Sequence, residues 1–386
     1  MAIDLQRIQV NASMQALLPV DRFGLRELEE IRLILRGGSV IDWRRLHFRD
    51  RDEVDAFLRL TLLRPGEPAD DERMREILDE AVAFLRAEFR YKVAAPVANP
   101  REIHDLFLMA SGVGEHRRLR RIACIVLKVM HTIFHTDARE HLFRIPISSR
   151  DFEALIDLRV RRCAEELLAS GAPVLDFSGS VKSRASMITK LLAKRESVAA
   201  QIFDKVRYRI VTERREDVLP VLHYLTTHLF PFAFTVPAQT QNTLVPFSKV
   251  IDETPALAPL VDGLQHDPDF EEQEKRGLPI NEYSGPTYRV LNFVADVPVR
   301  LDDHFTELHG VEVVGPQIAF APVEFQIVDR RTAEENELGE NSHARYKRRQ
   351  RMKVLRRLSK GLVVPRRRSN GLAEANGADT PGDDAA

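Results

Sequence analysis

The order of apolar and polar positions divides the chain into two textures. From about residue 22 to 170 the apolar groups recur every three or four residues. GLRELEEIRLILRGG ends at a glycine pair, DERMREILDEAVAFLRAEFRY carries one helical stripe, and RRLRRIACIVLKVMHTIFH is apolar enough for a buried helix. From about residue 172 a two-residue alternation takes over. PVLDFSG, KVRYRIVTE, AFTVP, TYRVLNFVADVPVRL and AFAPVEFQIV read as strands, with VKSRASMITKLLAKRESVAAQ and EDVLPVLHYLTTHL as helices between them. A single long helix is predicted from about Thr332 to Ser359. Consecutive strands without intervening helices exclude a purely parallel sheet, so the expected class is α+β. An all-helical domain over 1–170 precedes a mixed-sheet domain flanked by helices over 171–360. The Pro- and acid-rich segment 237–283 is predicted to be a loop insertion. The chain contains no internal repeat.

Composition refines this picture mainly at the ends. With 386 residues, 44% hydrophobic and 30% charged, the chain has the make-up of soluble globular proteins. No stretch approaches the ~20 apolar residues of a membrane span and the start lacks a signal pattern, so a cytoplasmic location is expected. Cys124 and Cys163, the two cysteines, sit in helix-like patterns and are expected to be core fillers; they exclude a disulfide framework or a cysteine-based zinc site. The net charge of −1 conceals an asymmetry: residues 345–368 hold twelve Lys or Arg and no acid, which leaves −13 on the remainder. Such a run suits RNA, an acidic partner or nucleotide phosphates, and equally a solvated helix face. If RNA binds there, its affinity should fall steeply with salt. Residues 361–386 are predicted to be a disordered tail.

Three segments carry candidate chemistry. In VEFQIVD, Glu324 and Gln326 share the strand face opposite Val323, Phe325 and Ile327. Lys182, Ser186 and Lys190, spaced by four, lie on one face of the predicted helix that follows a glycine-containing strand end; this suits a polyphosphate, or simply a solvated helix. In IFDKVRYRIV, Arg207 and Arg209 oppose Val206, Tyr208 and Ile210, and Asp204 can join them only from a bend before the strand. Asp204 and Glu324 are of the right type for Mg²⁺, which takes one or two carboxylates plus water and phosphate oxygens; singly, each is an ordinary surface acid. In the helical half, His104-Asp105 is an isolated pair. His131 and His135 are spaced to clasp a metal, yet their apolar helix favours a core or interface role.

These segments, in this order, resemble the synthetase domain of the RelA/SpoT family, which transfers pyrophosphate from ATP to the 3′-hydroxyl of GDP or GTP. GSVKSRASMITK is similar to G-R-x-K-x-x-x-S-x-x-x-K, and IFDKVRYRIV to a hydrophobic-aromatic-D-x-x-x-x-R-V-I pattern. TYRVLN resembles G-Y-Q-S-L-H, VEFQIVD resembles E-I-Q-I-R-T, and ELGENSHARYK resembles E-x-G-x-x-x-H-x-x-Y-K. The likeness spans about residues 172–350. It implies a nucleotidyltransferase-like sheet domain in which Lys182, Ser186, Lys190 and Arg209 hold the ATP phosphates and Asp204 and Glu324 hold Mg²⁺ at the catalytic centre. Tyr288 would stack on the acceptor base, with Gln326, His343 and Lys347 lining the acceptor side and Glu337 and Gly339 as framework. Departures from the pattern fall at Ser180 (for Arg), Ser284 (for Lys), Pro286-Thr287 (for N-G), Asn292 (for His) and Val328-Asp329 (for R-T). They cluster at the acceptor side, so an acceptor other than GDP or GTP is a live reading. Beside the synthetase stand a catalytically degenerate nucleotide- or RNA-binding regulator and a pyrophosphotransferase acting on RNA 3′-ends. The helical half is expected to be regulatory or a homo-oligomer interface.

Overall fold

A computed structural model describes residues 17–38, 46–113, 117–144, 147–193, 205–264, 287–303, 315–338 and 343–359. Its first half is helical. Helix α1 (Leu25–Leu35) starts where the Glu27 carboxylate accepts the Gly24 N–H at 2.8 Å, and it buries Leu28, Ile31 and Leu35. In α2 (Arg51–Leu60), Asp50 accepts the Glu53 N–H. Helix α3 (Pro68–Phe89) opens on a proline, whose missing N–H costs nothing in the first turn. Then follow α4 (Ala95–Ala98), α5 (Ile103–Ser111), α6 (Arg117–Arg144) and α7 (Ser149–Ala169), the last capped by Ser148.

The second half supplies a five-stranded sheet. Strands β1 (Val174–Val181), β2 (Val206–Thr212), β3 (Gln241–Asn242), β4 (Leu291–Arg300) and β5 (Ile318–Asp329) are ordered β1-β2-β5-β4-β3. Only β2 and β5 run parallel; the other pairs are antiparallel, which makes the sheet mixed and the class α+β, as the strand spacing predicted. Helices α8 (Arg184–Ala193), α9 (Val218–His228), α10 (Phe247–Glu253), α11 (Arg330–Glu337) and α12 (His343–Leu358) complete the half.

One continuous set of buried apolar residues runs from Phe23 in the helical half to Ile327 in β5, so helices and sheet share a core. The sheet's apolar face is lined by Tyr208, Phe325 and Phe293. The Tyr208 and Phe325 rings stack at 6.0 Å, those of Phe293 and Phe325 at 5.5 Å, and Phe230 packs on Phe325 from behind. The Tyr208 hydroxyl donates to Asp157 on α7 at 2.8 Å. Opposite Tyr208 stands Gly179, where a Cβ would come within 2.7 Å of the ring, so this strand glycine makes room for the aromatic layer. At the far end of β4, Arg300 is clamped by Asp70 at 2.7 and 2.9 Å, Asp302 at 2.7 Å and the Leu62 carbonyl at 3.0 Å, joining sheet to helical half.

Four expectations need correction. The predicted long closing helix is two: α11 ends at Glu337, its C-cap Leu338 has an extended ψ of 151°, and α12 begins at His343. Gly339 and the Asn341-Ser342 pair, a helix stop and a helix start signal, are the sequence cue to the break. The segment 237–283 is not a plain loop, for it contains β3, α10 and a 3₁₀ helix over Pro255–Gly263 that buries Leu257. AFTVP forms no ladder strand; Phe232–Phe234 is a 3₁₀ turn and Thr235 makes a single bridge to Ala295. Lys182 precedes α8 rather than riding on it, because its N–H still bonds to the Lys205 carbonyl at 2.9 Å, prolonging the β1–β2 pairing. Among the described residues, no helix is long and apolar enough to cross a membrane.

Candidate functional site

Directly opposed residues of neighbouring strands project to the same face, so register sorts the side chains into rows. One row crosses all five strands: Ser178 on β1, Arg209 on β2, Gln326 on β5, Asn292 on β4 and Gln241 on β3. The neighbouring row on the same face holds Ser180, Arg207, Glu324 and Val294. Two adjacent rows of hydrogen-bonding and charged groups on a sheet built into a core are not a structural necessity. They make a floor.

Glu324 is its centre. The residue is only 7% exposed, which answers why the polar side of VEFQIVD need not face water. Its Oε1 accepts from Asn292 Nδ2 at 2.9 Å and from Gln326 Nε2 at 3.4 Å. Its Oε2 is buried without a hydrogen-bond partner, and the Lys182 ammonium stands 3.7 Å away. Burying a carboxylate costs on the order of several kcal/mol unless a counter-charge offsets it, and Lys182 supplies that counter-charge. Arg209 reaches Glu337 on α11 at 3.7 Å. Tyr288 belongs to the same cluster: burial pushes its phenol up, against the lowering charges of Arg209 and Arg207 and together with the raising charges of Glu324 and Glu337.

Helix α11 forms one side. Asp329 caps it by accepting the Thr332 N–H at 3.0 Å and the Thr332 hydroxyl at 2.6 Å, which gives this departure from the family pattern a local role. From the same helix, Asn336 holds the backbone beside Tyr288: its Oδ1 accepts the Arg289 N–H at 3.1 Å, and its Nδ2 donates to the Arg289 carbonyl at 2.7 Å. Sequence reading missed Asn336, because nothing in its spacing shows that β4 begins against α11.

The sequence-predicted residues thus divide. Lys182, Arg209, Tyr288, Glu324 and Gln326 come together. Ser186 lies on α8 with its hydroxyl 3.1 Å from that of Ser183, which also accepts the Ser186 N–H at 3.3 Å, and Lys190 is half-buried on the same helix. Lys347 is exposed on α12. Asp204, Gly339 and the side chain of His343 lie outside the described residues. Helices α8 and α12 pack through a small cluster of Val354, Leu192 and Tyr346, apart from the main core, and Arg357 donates to the Leu192 carbonyl at 2.8 Å. The described part of α12 carries eight Lys or Arg and no acid.

In the helical half, His131 is buried beside Phe234, and burial followed by the neighbouring His135 holds its pKa well below the ordinary value. His135 stands 3.6 Å from Asp296 and packs on Phe320. His104 pairs with Asp55 at 2.6 Å. Among the described residues, no group of three or more His, Cys, Asp or Glu side chains is arranged to hold a metal.

No family model matches the chain, and no curated protein matches it. Solved structures do. The chain is similar to the small alarmone synthetase 1 from Bacillus subtilis at 14% identity, covering 60% of this chain and 91% of that one with a TM-score of 0.28. The same enzyme bound to its product pppGpp matches at 16% identity, 55% and 91% coverage and a TM-score of 0.28. A GTP pyrophosphokinase family protein from Streptococcus pneumoniae matches at 13% identity, 54% and 84% coverage and a TM-score of 0.26.

Proposed function

We propose that the chain is a pyrophosphotransferase of the (p)ppGpp-synthetase type, moving the β,γ-diphosphate of ATP onto the 3′-hydroxyl of a nucleotide, with GDP and GTP as the first acceptors to test. The observation that carries this reading is Glu324: a buried carboxylate with one oxygen tied by two amides and the other without a hydrogen-bond partner, 3.7 Å from the Lys182 ammonium. A structural acid would have both oxygens satisfied. An acid kept to receive a proton or a cation would not.

In the proposed reaction the 3′-oxygen attacks the β-phosphorus of ATP, the bridging bond to the α-phosphate breaks, AMP leaves and the acceptor hydroxyl loses its proton. Glu324 Oε2 is the group to orient that hydroxyl and take up the proton. Lys182, Arg207 and Arg209 supply positive charge for the phosphate oxygens, in keeping with a reaction class in which positioning and charge neutralisation dominate. Tyr288, beside the Arg289 backbone that Asn336 holds, supplies an aromatic face for the acceptor base. The open oxygen of Glu324 also fits a divalent cation, and Asp204 is the second ligand that the motif order implies; Mg²⁺ bound there would neutralise phosphate charge.

The test incubates the full chain with γ-³²P-ATP, Mg²⁺ and GDP, GTP, AMP or RNA. Label on a free nucleotide supports the proposal. Label on RNA moves the reaction to RNA 3′-ends, for which the acid-free basic helix α12 is the favouring observation. Nucleotide binding without transfer leaves a regulator.

A further inference from the structure

The row Gln241–Asn292–Gln326 places three amide side chains side by side across β3, β4 and β5. Their hydrogen-bond accounts do not close. Asn292 spends its Nδ2 on Glu324 at 2.9 Å, and its Oδ1 is buried with no hydrogen-bond partner. The Nε2 of Gln241, directly across the strand pair, is likewise buried with none. The orientation of Asn292 follows from its neighbour, since the reversed amide would set oxygen against the Glu324 carboxylate. A buried acceptor and a buried donor therefore stand on opposed residues, next to the carboxylate oxygen that is also open.

Buried polar groups are nearly always satisfied, so unmet groups in a row point to something that completes them. A hydroxyl donates to Asn292 Oδ1 and accepts from Gln241 Nε2 at once, as does the water that a ligand hydroxyl would displace. We infer that Gln241 and Asn292 form a receptor for a second hydroxyl, vicinal to the one that reacts at Glu324: the 2′-hydroxyl of a ribonucleotide acceptor. The inference rests on the proposed reaction for the position of the 3′-hydroxyl, and it adds what that reaction leaves open, a preference for ribose over deoxyribose. Gln241 comes from the segment inserted before Tyr288, so the preference would be a property of this chain's insertion rather than of the motifs.

Calorimetric titration of the full chain with GDP and 2′-deoxy-GDP, and with ADP and 2′-deoxy-ADP, in the presence of Mg²⁺ and a non-hydrolysable ATP analogue, tests it. For the base that binds, the ribonucleotide should bind about 10-fold more tightly, the scale of one neutral hydrogen bond. Gln241→Leu should bring the ribonucleotide down to the deoxyribonucleotide affinity and leave the latter unchanged; Asn292→Leu should also lose the discrimination, but it strips a partner from Glu324 and lowers both affinities. Gln241→Leu is decisive, because Gln241 makes no hydrogen bond to Glu324, and a melting curve establishes that each variant is folded. Equal binding of the two sugars, discrimination that survives in Gln241→Leu, or no nucleotide binding at all overturns the inference. Label transfer on the same preparations separates the two claims. Discrimination without transfer counts against the pyrophosphotransferase and leaves the hydroxyl receptor standing, whereas equal transfer to both sugars does the reverse.

Discussion

The two faces of the central sheet are made by the same strands one residue out of step. On one side Tyr208, Phe325 and Phe293 form an aromatic layer; on the other, Arg209, Gln326 and Asn292 form a polar one. Tyr208, Phe325 and Phe293 are fully buried, whereas Arg209, Gln326 and Asn292 are only half-buried around the buried Glu324. On the apolar side a tyrosine hydroxyl bonds to Asp157 and a glycine clears its ring. The polar side leaves Glu324 Oε2, Asn292 Oδ1 and Gln241 Nε2 without hydrogen-bond partners.

Adjacent residues of β5 offer the largest contrast. Phe325→Ala removes a fully buried ring from the aromatic layer and should destabilise the fold by about 3–5 kcal/mol, read as a lower denaturation midpoint. Glu324→Gln keeps the shape and an acceptor for Asn292 but removes the charge and the proton-accepting oxygen. It should cost about 10²–10⁴-fold in label transfer while the midpoint stays close to wild type. If the glutamine variant is as active as wild type, the role given to Glu324 is wrong. If it unfolds instead, the carboxylate is structural and the two faces do not differ in kind.

A second buried charge on β4 sharpens the distinction by being its opposite. Arg300 is as buried as Glu324, yet its guanidinium makes four hydrogen bonds, two of them to Asp70. Four of its five N–H donors are spent inside the protein. Asp70→Ala strands that charge and should cost about 3–5 kcal/mol of stability, with the KM for ATP unchanged in whatever protein remains folded. A change in that KM would show that the clamp and the site communicate.

How far these contrasts were legible beforehand depended on scale. The alternation of Val206, Tyr208 and Ile210 against Arg207 and Arg209 is a property of neighbours in sequence, and β2 followed from it. The meeting of Lys182 with Glu324 came from motif order, although Lys182 was assigned to the wrong element because its strand runs on past the glycine. Asn292 registered only as an asparagine where the family pattern has histidine. Its partners are fixed by the β3–β4–β5 register, and β3 is two residues long, too short to leave a periodic trace. The break after Leu338 was legible but passed over, since Gly339 is a helix stop signal and Asn341-Ser342 a start signal.

Protonation probes the layers that pack around the sheet. Burial, the largest cause, lowers His223 on α9 from 6.5 to about 4, so the folded state keeps it neutral while the unfolded chain begins to bind a proton below pH 6.5. Its contribution is therefore complete above about pH 6.5 and is lost as pH falls toward 4, up to about 3 kcal/mol. The ring lies 5.4 Å from Phe23, which suits His223→Phe as the matched variant. Its denaturation midpoint should fall less than that of wild type between pH 7 and 4.5. Parallel curves for the two proteins would mean that His223 does not carry this part of the acid sensitivity.

The smallest effect concerns the one part of the site that the main core does not hold. Helix α8, bearing Ser186 and Lys190, packs on α12 through Val354, Leu192 and Tyr346, a cluster separate from the core beneath the sheet. Global unfolding is governed by the large core, so trimming this cluster should leave the denaturation midpoint nearly unchanged. Val354→Ala removes two methyl groups from an 8% exposed position and weakens only the register of α8 against α12. If α8 presents its lysine and serine to the ATP phosphates, the KM for ATP should rise about 2- to 5-fold, part of the free energy of those methyls, with the acceptor KM unaffected. An unchanged ATP KM would place α8 outside the phosphate site and leave Lys182 and the arginines of β2 as its cationic side.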